Sequence, residues 1–392
     1  MQPKTILVIA STFPRWPNDS RPSFVYELAK TQAKTLNIIV LAPYSKGAKV
    51  YEEDSGLKIY RFKYWFEGDN NLADGGILPN LKKNPLLYIQ ILPFIISEFL
   101  SALKIIRKEN IQAIHAHWII PQGFVALMLK KILRLNFIVT SLGGDMFPFT
   151  SHNLLLLWLY RQIISQASFV TTVNKAFVST LDLCGDHKTF YIPNAIDLTK
   201  FKSKPQFRKN TNLLFVGRLV EKKGAEYLLQ ALSHLNNNLY HQLLLVGEGP
   251  QKTNLEKTVK LQHLQHKVIF LGNVPYDKLR ELYYSSLLLV VPSISPQNGD
   301  VEGFPTVYLD AMASGCPILT TAITGIETIF KSGENSLIVP QKNPLALATA
   351  LEELITNHRL RNTLLQNAFY EVRRKYSLET VNRQYYKLIS QL

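Results

Sequence analysis

Short apolar runs recur along this chain, separated by longer stretches in which apolar residues return every three or four positions. The first pattern suits strands buried on both faces of a parallel sheet, and the second suits helices laid against that sheet. In the first half, Thr5–Ala10, 38–42, Ala113–His117, 137–140 and Phe169–Thr172 read as strands, with helices over 23–36 and 122–132. A second series follows Pro193-Asn-Ala-Ile-Asp197 and a Lys/Pro/Gln-rich stretch at 200–212: 212–217, 242–247, Val268–Gly272, 287–291, 318–320 and Leu337–Val339. Such alternation predicts an α/β protein of two doubly wound, Rossmann-like domains, 1–198 and 199–377. Ligands of these sheets bind beyond the carboxyl ends of the strands, which in a two-domain version means a facing cleft. The last segment, Leu378–Leu392, has the spacing of an amphipathic helix.

Length agrees with two domains, since 392 residues exceed the ~100–200 of a usual single core. A hydrophobic fraction of 46% with 11% aromatics is that of a globular chain and excludes a disordered one. The two cysteines, Cys184 and Cys316, allow at most one bridge and give no metal-ligand spacing, so a reduced, cytoplasmic setting is expected. The first apolar run is too short for a secretory signal. No uninterrupted run reaches the ~20 apolar residues of a spanning helix, and the nearest, 86–106, is broken by Pro93, Ser97, Glu98 and Lys104.

The net charge of +15 is shared about equally by the two halves, with no basic tail. Nucleic acid or an anionic membrane would suit it. No nucleic-acid motif accompanies the charge, so the expectation is no nucleic acid and peripheral association with the inner face of a membrane. The segment 81–100, followed by Lys104, Arg107 and Lys108, places apolar bulk beside cations, as a helix lying among lipid headgroups would.

The richest chemistry lies in Glu302-Gly-Phe-Pro-Thr-Val-Tyr-Leu-Asp310, which follows the apolar run 287–291. Gly303 and Pro305 open a helix there, Pro305 standing near the first turn where a missing N–H costs nothing. Glu302 then falls in the loop and Asp310 about a turn and a half into the helix, on a nearby face. The free N–H groups around Thr306 favour an anion in the same space. Amides flanked by two carboxylates suit a ligand that carries both phosphate and hydroxyls, as a nucleotide sugar does. A capped crossover helix with solvated acids is the bland alternative.

Upstream, Phe215-Val-Gly-Arg-Leu219 and Glu221-Lys-Lys-Gly224 form a strand, a turn and a helix start. Gly217 permits the tight turn, and Arg218 and Lys223 project at the strand's carboxyl end. Two cations there would neutralise a diphosphate and stabilise charge building on it as a sugar leaves. In the first half, His115 and His117 alternate onto one side of their strand. The first loop offers Arg15, Trp16, Asp19 and Arg21 for a sugar or anionic acceptor, or simply a surface loop.

The 302–310 segment resembles the Glu-x7-Glu signature of glycosyltransferase family 4, whose members are retaining enzymes of the GT-B fold. Asp310 stands here where Glu is usual. The resemblance covers nearly the whole chain and is strongest from Tyr191 to Pro340. It implies a retaining, metal-independent glycosyltransferase with no cofactor, using a nucleotide-diphosphate sugar. Arg218 and Lys223 match the family's diphosphate cations. Backbone around Val274 would meet the base, and Asp310 the ribose hydroxyls. Glu302 with the Gly303 and Phe304 amides would hold the transferred sugar, and His117 would contact it from the other domain. By the same resemblance the leaving phosphate takes the acceptor's proton, and the terminal helix packs back on the first domain. Thr140-Ser-Leu-Gly-Gly-Asp145 is similar to a family loop with a histidine where Leu142 stands, leaving Asp145 as the acceptor-side candidate. The acceptor implied is a glycan or a lipid-linked sugar. A GT-B sugar-nucleotide epimerase, or a non-catalytic subunit that binds nucleotide sugars, is the alternative.

Overall fold

The computed structural model describes residues 3–16, 19, 23–66, 72–149, 153–185, 189–202, 211–295 and 304–392. They form two compact units, Met1–Ala195 with Leu378–Leu392, and Ile196–Ser377.

In the first unit, eight strands are β1 (Thr5–Ala10), β2 (Asn37–Pro43), β3 (Tyr51–Asp54), β4 (Leu57–Phe62), β5 (Ala113–His117), β6 (Asn136–Ser141), β7 (Phe169–Thr172) and β8 (Thr189–Tyr191). Their order is β3-β4-β2-β1-β5-β6-β7-β8. Every pairing is parallel except the antiparallel β3–β4 hairpin at the edge. Sequence order reverses between β1 and β5, so the loops after these two strands open at one point of the carboxyl rim. The hairpin and β8 are strands that the apolar pattern did not predict. Arg61 of β4 is buried beside Glu52, and its guanidinium donates to the carbonyls of Lys49 and Pro14, which ties the hairpin to the loop after β1.

Both faces of this sheet are covered. On one, the helices Phe24–Gln32 and Leu378–Ser390 pack Val25, Leu28, Val381, Tyr385 and Leu388 onto Ile6, Val8, Ile38 and Val40. Each large apolar side chain so buried contributes roughly 1.5–3 kcal/mol. The last helix is thus part of the first unit's core. The right-handed crossovers β4→β5, β5→β6 and β6→β7 put their helices, Ile91–Glu109, Phe124–Leu133 and Leu154–Gln166, on the opposite face. The second of these starts two residues later than the periodicity suggests, because a π turn over Ile119–Gly123 intervenes.

In the second unit, β9 (Leu213–Val216), β10 (Leu243–Val246), β11 (Val268–Gly272), β12 (Leu288–Val291), β13 (Ile318–Thr321) and β14 (Leu337–Val339) form an all-parallel sheet of order β11-β10-β9-β12-β13-β14. Here the reversal lies between β9 and β12. Much of the stretch expected as a linker, 203–210, lies outside the described residues. Cys184 and Cys316 are both free thiols, one in each unit.

The carboxyl ends of β9, β10 and β12 meet backbone to backbone. Gly224, with φ +64°, sits where a Cβ would stand 1.9 Å from the carbonyl oxygen of Pro292, and at Gly247 a Cβ would stand 2.0 Å from that of Gly217. Only glycine fits these approaches. Gly333, with φ +79°, has open space around the same position. We predict that Gly333→Ala costs about 1 kcal/mol of left-handed strain, whereas Gly224→Ala costs about 2–4 kcal/mol by forcing two loops apart. Denaturant unfolding of both variants checks this, and equal losses would remove the close approach as a determinant.

Candidate functional site

The second unit's rim is built from glycine turns that follow its strands. Gly217 ends β9, and the aliphatic stem of Lys223 lies over it, its Cδ 3.4 Å from where a Gly217 Cβ would be. Arg218 is exposed beside it, and among the described residues no ion-pair partner engages it. A short turn, Glu221–Lys223, then leads through Gly224 into the helix Ala225–Leu232. The turn is fixed from two sides. Ile294 N–H donates to the Lys222 carbonyl at 2.9 Å, and Leu219 N–H donates to the Glu248 carbonyl at 3.0 Å. Both cations therefore stand at the reversal between β9 and β12, the end where the sheet's topology opens a crevice.

The loop after β12 reaches the same rim. Its first residues are pinned by Gln341, which accepts from Ser295 N–H at 2.7 Å and donates to the Ala322 carbonyl. Glu302 and Gly303 lie outside the described residues. The chain returns at Phe304, buried with its ring 5.7 Å from that of Tyr376. Pro305 then caps the helix Thr306–Ala313 at its N-terminal end, with Thr306 exposed as the first helical residue. This helix is anchored by Tyr308, whose hydroxyl is 2.8 Å from Thr320 Oγ1.

Asp310 lies on this helix, 8% exposed, and accepts a 2.6 Å hydrogen bond from the hydroxyl of Tyr276. Burial pushes its carboxyl up from 3.8 to about 6, against the Tyr276 hydrogen bond and the positive charges of Arg280 and Lys200, which all favour the ionised form. Tyr276 opens the helix that follows β11, directly after half-buried Val274 and exposed Pro275. Sequence spacing did not find Tyr276: the pairing joins two separate crossovers, and only the fold brings them together.

In the first unit, β5 presents His115 and His117 on one side, their ring centroids 4.2 Å apart. Both are buried, and burial holds His115 down at about 3 and His117 well below its ordinary value, so both are neutral. Beneath them runs a polar chain. His115 Nε2 is 2.8 Å from Thr140 Oγ1, which is 2.7 Å from Thr171 Oγ1. Tyr385 from the terminal helix joins it, its ring 5.1 Å from His115 and its hydroxyl bonded to Thr171 and Thr140. Tyr385 carried no signal in the sequence, and Thr140 entered only as the first residue of the 140–145 loop.

Two acceptor-side candidates are engaged internally. Asp145 is 2% exposed, and its oxygens accept from Ile119 N–H, Ser141 Oγ and Gly143 N–H at 2.8–3.0 Å. Its geometry is that of a brace between the loops after β5 and β6. Arg15 makes a bidentate pair with Asp19 at 2.7 and 2.9 Å and stacks on Trp16. Its side chain is still 23% exposed at the rim, whereas Arg21 lies outside the described residues. Among the described residues no three His, Cys, Asp or Glu side chains cluster as a metal-binding group.

Comparison with known proteins gives this geometry a family. Residues 197–370 match the family described as "Glycosyl transferases group 1", and residues 23–200 match "Glycosyltransferase Family 4". An uncharacterized glycosyltransferase of Methanocaldococcus jannaschii is 29% identical over 317 residues, covering 74% of this chain and 78% of that protein. The N-acetyl-alpha-D-glucosaminyl L-malate synthase of Bacillus anthracis is 25% identical over 295 residues, 72% of this chain and 75% of its own. Among solved structures, Anabaena HepE in complex with UDP-glucose superimposes with a TM-score of 0.74 at 18% identity, covering 99% of this chain and 100% of that one. With two doubly wound sheets and matches to both halves of the family's pattern, the chain belongs to the family 4, group 1 glycosyltransferases and has their GT-B fold.

Proposed function

We propose that the protein is a retaining glycosyltransferase that moves a sugar from a nucleotide-diphosphate donor to a glycan or lipid-linked acceptor, without a metal ion. The observation that carries this reading is the rim of the second sheet. Arg218, Lys223 and the N-terminus of the Thr306–Ala313 helix gather at one end of it, with the Asp310 carboxylate just inside. Support for the donor class also comes from the UDP-glucose bound by the structurally similar HepE.

Arg218, Lys223 and the amides near Thr306 would hold the diphosphate and stabilise the charge that grows on it, the task a metal performs elsewhere. Asp310 would accept from ribose hydroxyls, with backbone around Val274 against the base. Glu302, with the Gly303 and Phe304 amides, is assigned to the hydroxyls of the transferred sugar. In the first unit, His117, held neutral, is the further contact we assign to that sugar. As the bond from C1 to the diphosphate oxygen breaks, the acceptor oxygen bonds to C1 on the same face. The acceptor's proton passes to the leaving phosphate oxygen, so no covalent sugar–enzyme intermediate is needed. A panel of nucleotide sugars, assayed with and without acceptors and read by NMR for the anomeric configuration of the product, tests the reading. Inversion would overturn the retaining assignment, and epimerisation without transfer would favour a sugar-nucleotide epimerase.

Two predictions follow from the charges. Activity persists in EDTA, while Arg218→Ala loses about 2.7–4 kcal/mol of transition-state stabilisation, as removal of one preorganised donor does. Inactivation by EDTA that magnesium restores would refute the metal-free reading.

The second concerns pH. An ionised Asp310 accepts ribose hydroxyls best, so donor affinity falls as pH drops through about 6. Tyr276→Phe removes a hydrogen bond to the ionised form and moves that midpoint upward, while Asp310→Ala weakens donor binding at every pH. Calorimetric titration of donor across pH 5–8 checks both, and a flat profile in the wild type would free Asp310 from the ribose.

A further inference from the structure

The run Pro85–Glu109 is helical for 25 residues, long and apolar enough in length and composition to cross a membrane, and only 22% of its most apolar window is buried. It carries a buried stripe, apolar except for Glu98, which accepts from Gln122 Nε2 at 3.1 Å, and an exposed apolar one. Phe94, Glu98, Ala102 and Ile105 return every three or four positions and face the first unit's interior. On the outside, Ile89, Leu92, Ile96 and Leu100 keep the same spacing, and with Leu86 (81%) and Tyr88 all are exposed. A crossover helix needs one apolar stripe to cover its sheet, and the second has no partner within the unit. The inner stripe belongs to the unit's core, which rules out crossing a bilayer.

A second element repeats the arrangement. The helix Leu154–Gln166 buries Tyr160, Ile163 and Ile164 and exposes Leu154 (79%), Leu155 and Trp158 in its first turns. Both helices lie on the same face of the sheet, flanking Phe124–Leu133. Each ends just before a parallel strand begins, β5 at Ala113 and β7 at Phe169, and runs antiparallel to it as a crossover helix, so both exposed apolar ends lie toward the carboxyl rim. That is the rim from which the loops carrying Arg15 and following His117 emerge.

Charge selects the occupant. Lys82 and Lys83 precede the first patch, Lys104 and Arg107 follow it, and Arg161 lies one turn beyond Trp158, all of them exposed. Of the run's two acids, Glu98 is buried and Glu109 is paired with Lys58 at 2.6 Å. A second copy of this chain, at +15, would bring cations against cations. Apolar side chains beside lysine and arginine, with Tyr88 and Trp158 as amphipathic anchors, fit an anionic lipid surface.

We propose that the first unit docks on an anionic, cytoplasmic leaflet through these two helix faces, which present its carboxyl rim to the bilayer and make the acceptor a lipid-linked sugar. The choice of acceptor rests on the glycosyltransferase reading above; the docking does not. The test floats the full-length protein with vesicles of phosphatidylcholine alone or with about one third phosphatidylglycerol. We expect flotation with the anionic vesicles only, weakened by salt. Ile89→Ser/Leu92→Ser and Leu155→Ser/Trp158→Ser each reduce the bound fraction at least tenfold. Donor binding by calorimetry and thermal melting stay as in the wild type, since these side chains face solvent.

Donor bound normally without flotation overturns the docking and leaves the glycosyltransferase reading standing. Flotation without donor binding does the reverse. Serine variants that turn a dimer into a monomer would assign the face to a second copy and overturn the proposal.

Discussion

Close backbone approach at the ends of parallel strands is the constraint on which the second unit's chemistry depends. Two crossovers can place cations and a helix N-terminus at one point only if their loops lie nearly in contact. Gly224 against the Pro292 carbonyl and Gly247 against that of Gly217 achieve this by omitting side chains. The hydrogen bond from Ile294 to Lys222 then locks the loop of β9 to that of β12. Arg218 and Lys223 inherit their positions from this seam, so the preorganisation that would stabilise a leaving diphosphate is a backbone property before it is a side-chain one.

The first unit solves the same problem with buried polar groups. His115 Nε2, Thr140, Thr171 and Tyr385 pair with one another in the interior, where an unmatched polar atom costs about 1–3 kcal/mol, while Nδ1 of His115 and Nδ1 of His117 are buried without a partner among the described residues. His117 rests on this chain through its stacking with His115. The terminal helix therefore covers the sheet and also supplies the hydroxyl that completes the network under β5. Burial keeps both imidazoles neutral, so His117 can donate or accept one hydrogen bond but carries no charge to a ligand.

The strands of both sheets were legible because strands buried on two faces announce themselves as apolar runs. The β3–β4 hairpin was not: Glu52, Glu53, Asp54, Lys58 and Arg61 fill an edge whose pattern alternates, with Arg61 paired to Glu52 inside the hairpin and Lys58 to Glu109 of a distant helix. β8 has three residues, too few for any period. At the candidate site, Gly217 and Arg218 could be placed from sequence because they follow β9 directly, and Lys223 and Thr306 because a glycine turn or a proline marks the helix start beside each. Tyr276 with Asp310 and Tyr385 with Thr140 could not, since these pairs form only when distant crossovers meet. The internal bonds of Asp145 were equally hidden from the sequence. A carboxylate in a glycine loop looks available for a ligand, but three neighbouring donors had already claimed it.

Asp310 shows what such a site costs the fold. Its value of about 6 lies above the ordinary 3.8 of the unfolded chain, so the folded protein holds this proton more tightly. Stability contributed by the protonated form is fully present below about 4 and is lost as pH rises through about 6. At neutral pH the carboxylate is ionised in a place that disfavours its charge, and Tyr276, Arg280 and Lys200 offset only part of the burial. A residue selected for packing alone would be apolar here, next to Leu309 and Ala311 in a helix that is otherwise core. A buried carboxylate retained among such neighbours, and supported by a tyrosine and two cations, fits a group kept for a ligand's hydroxyls.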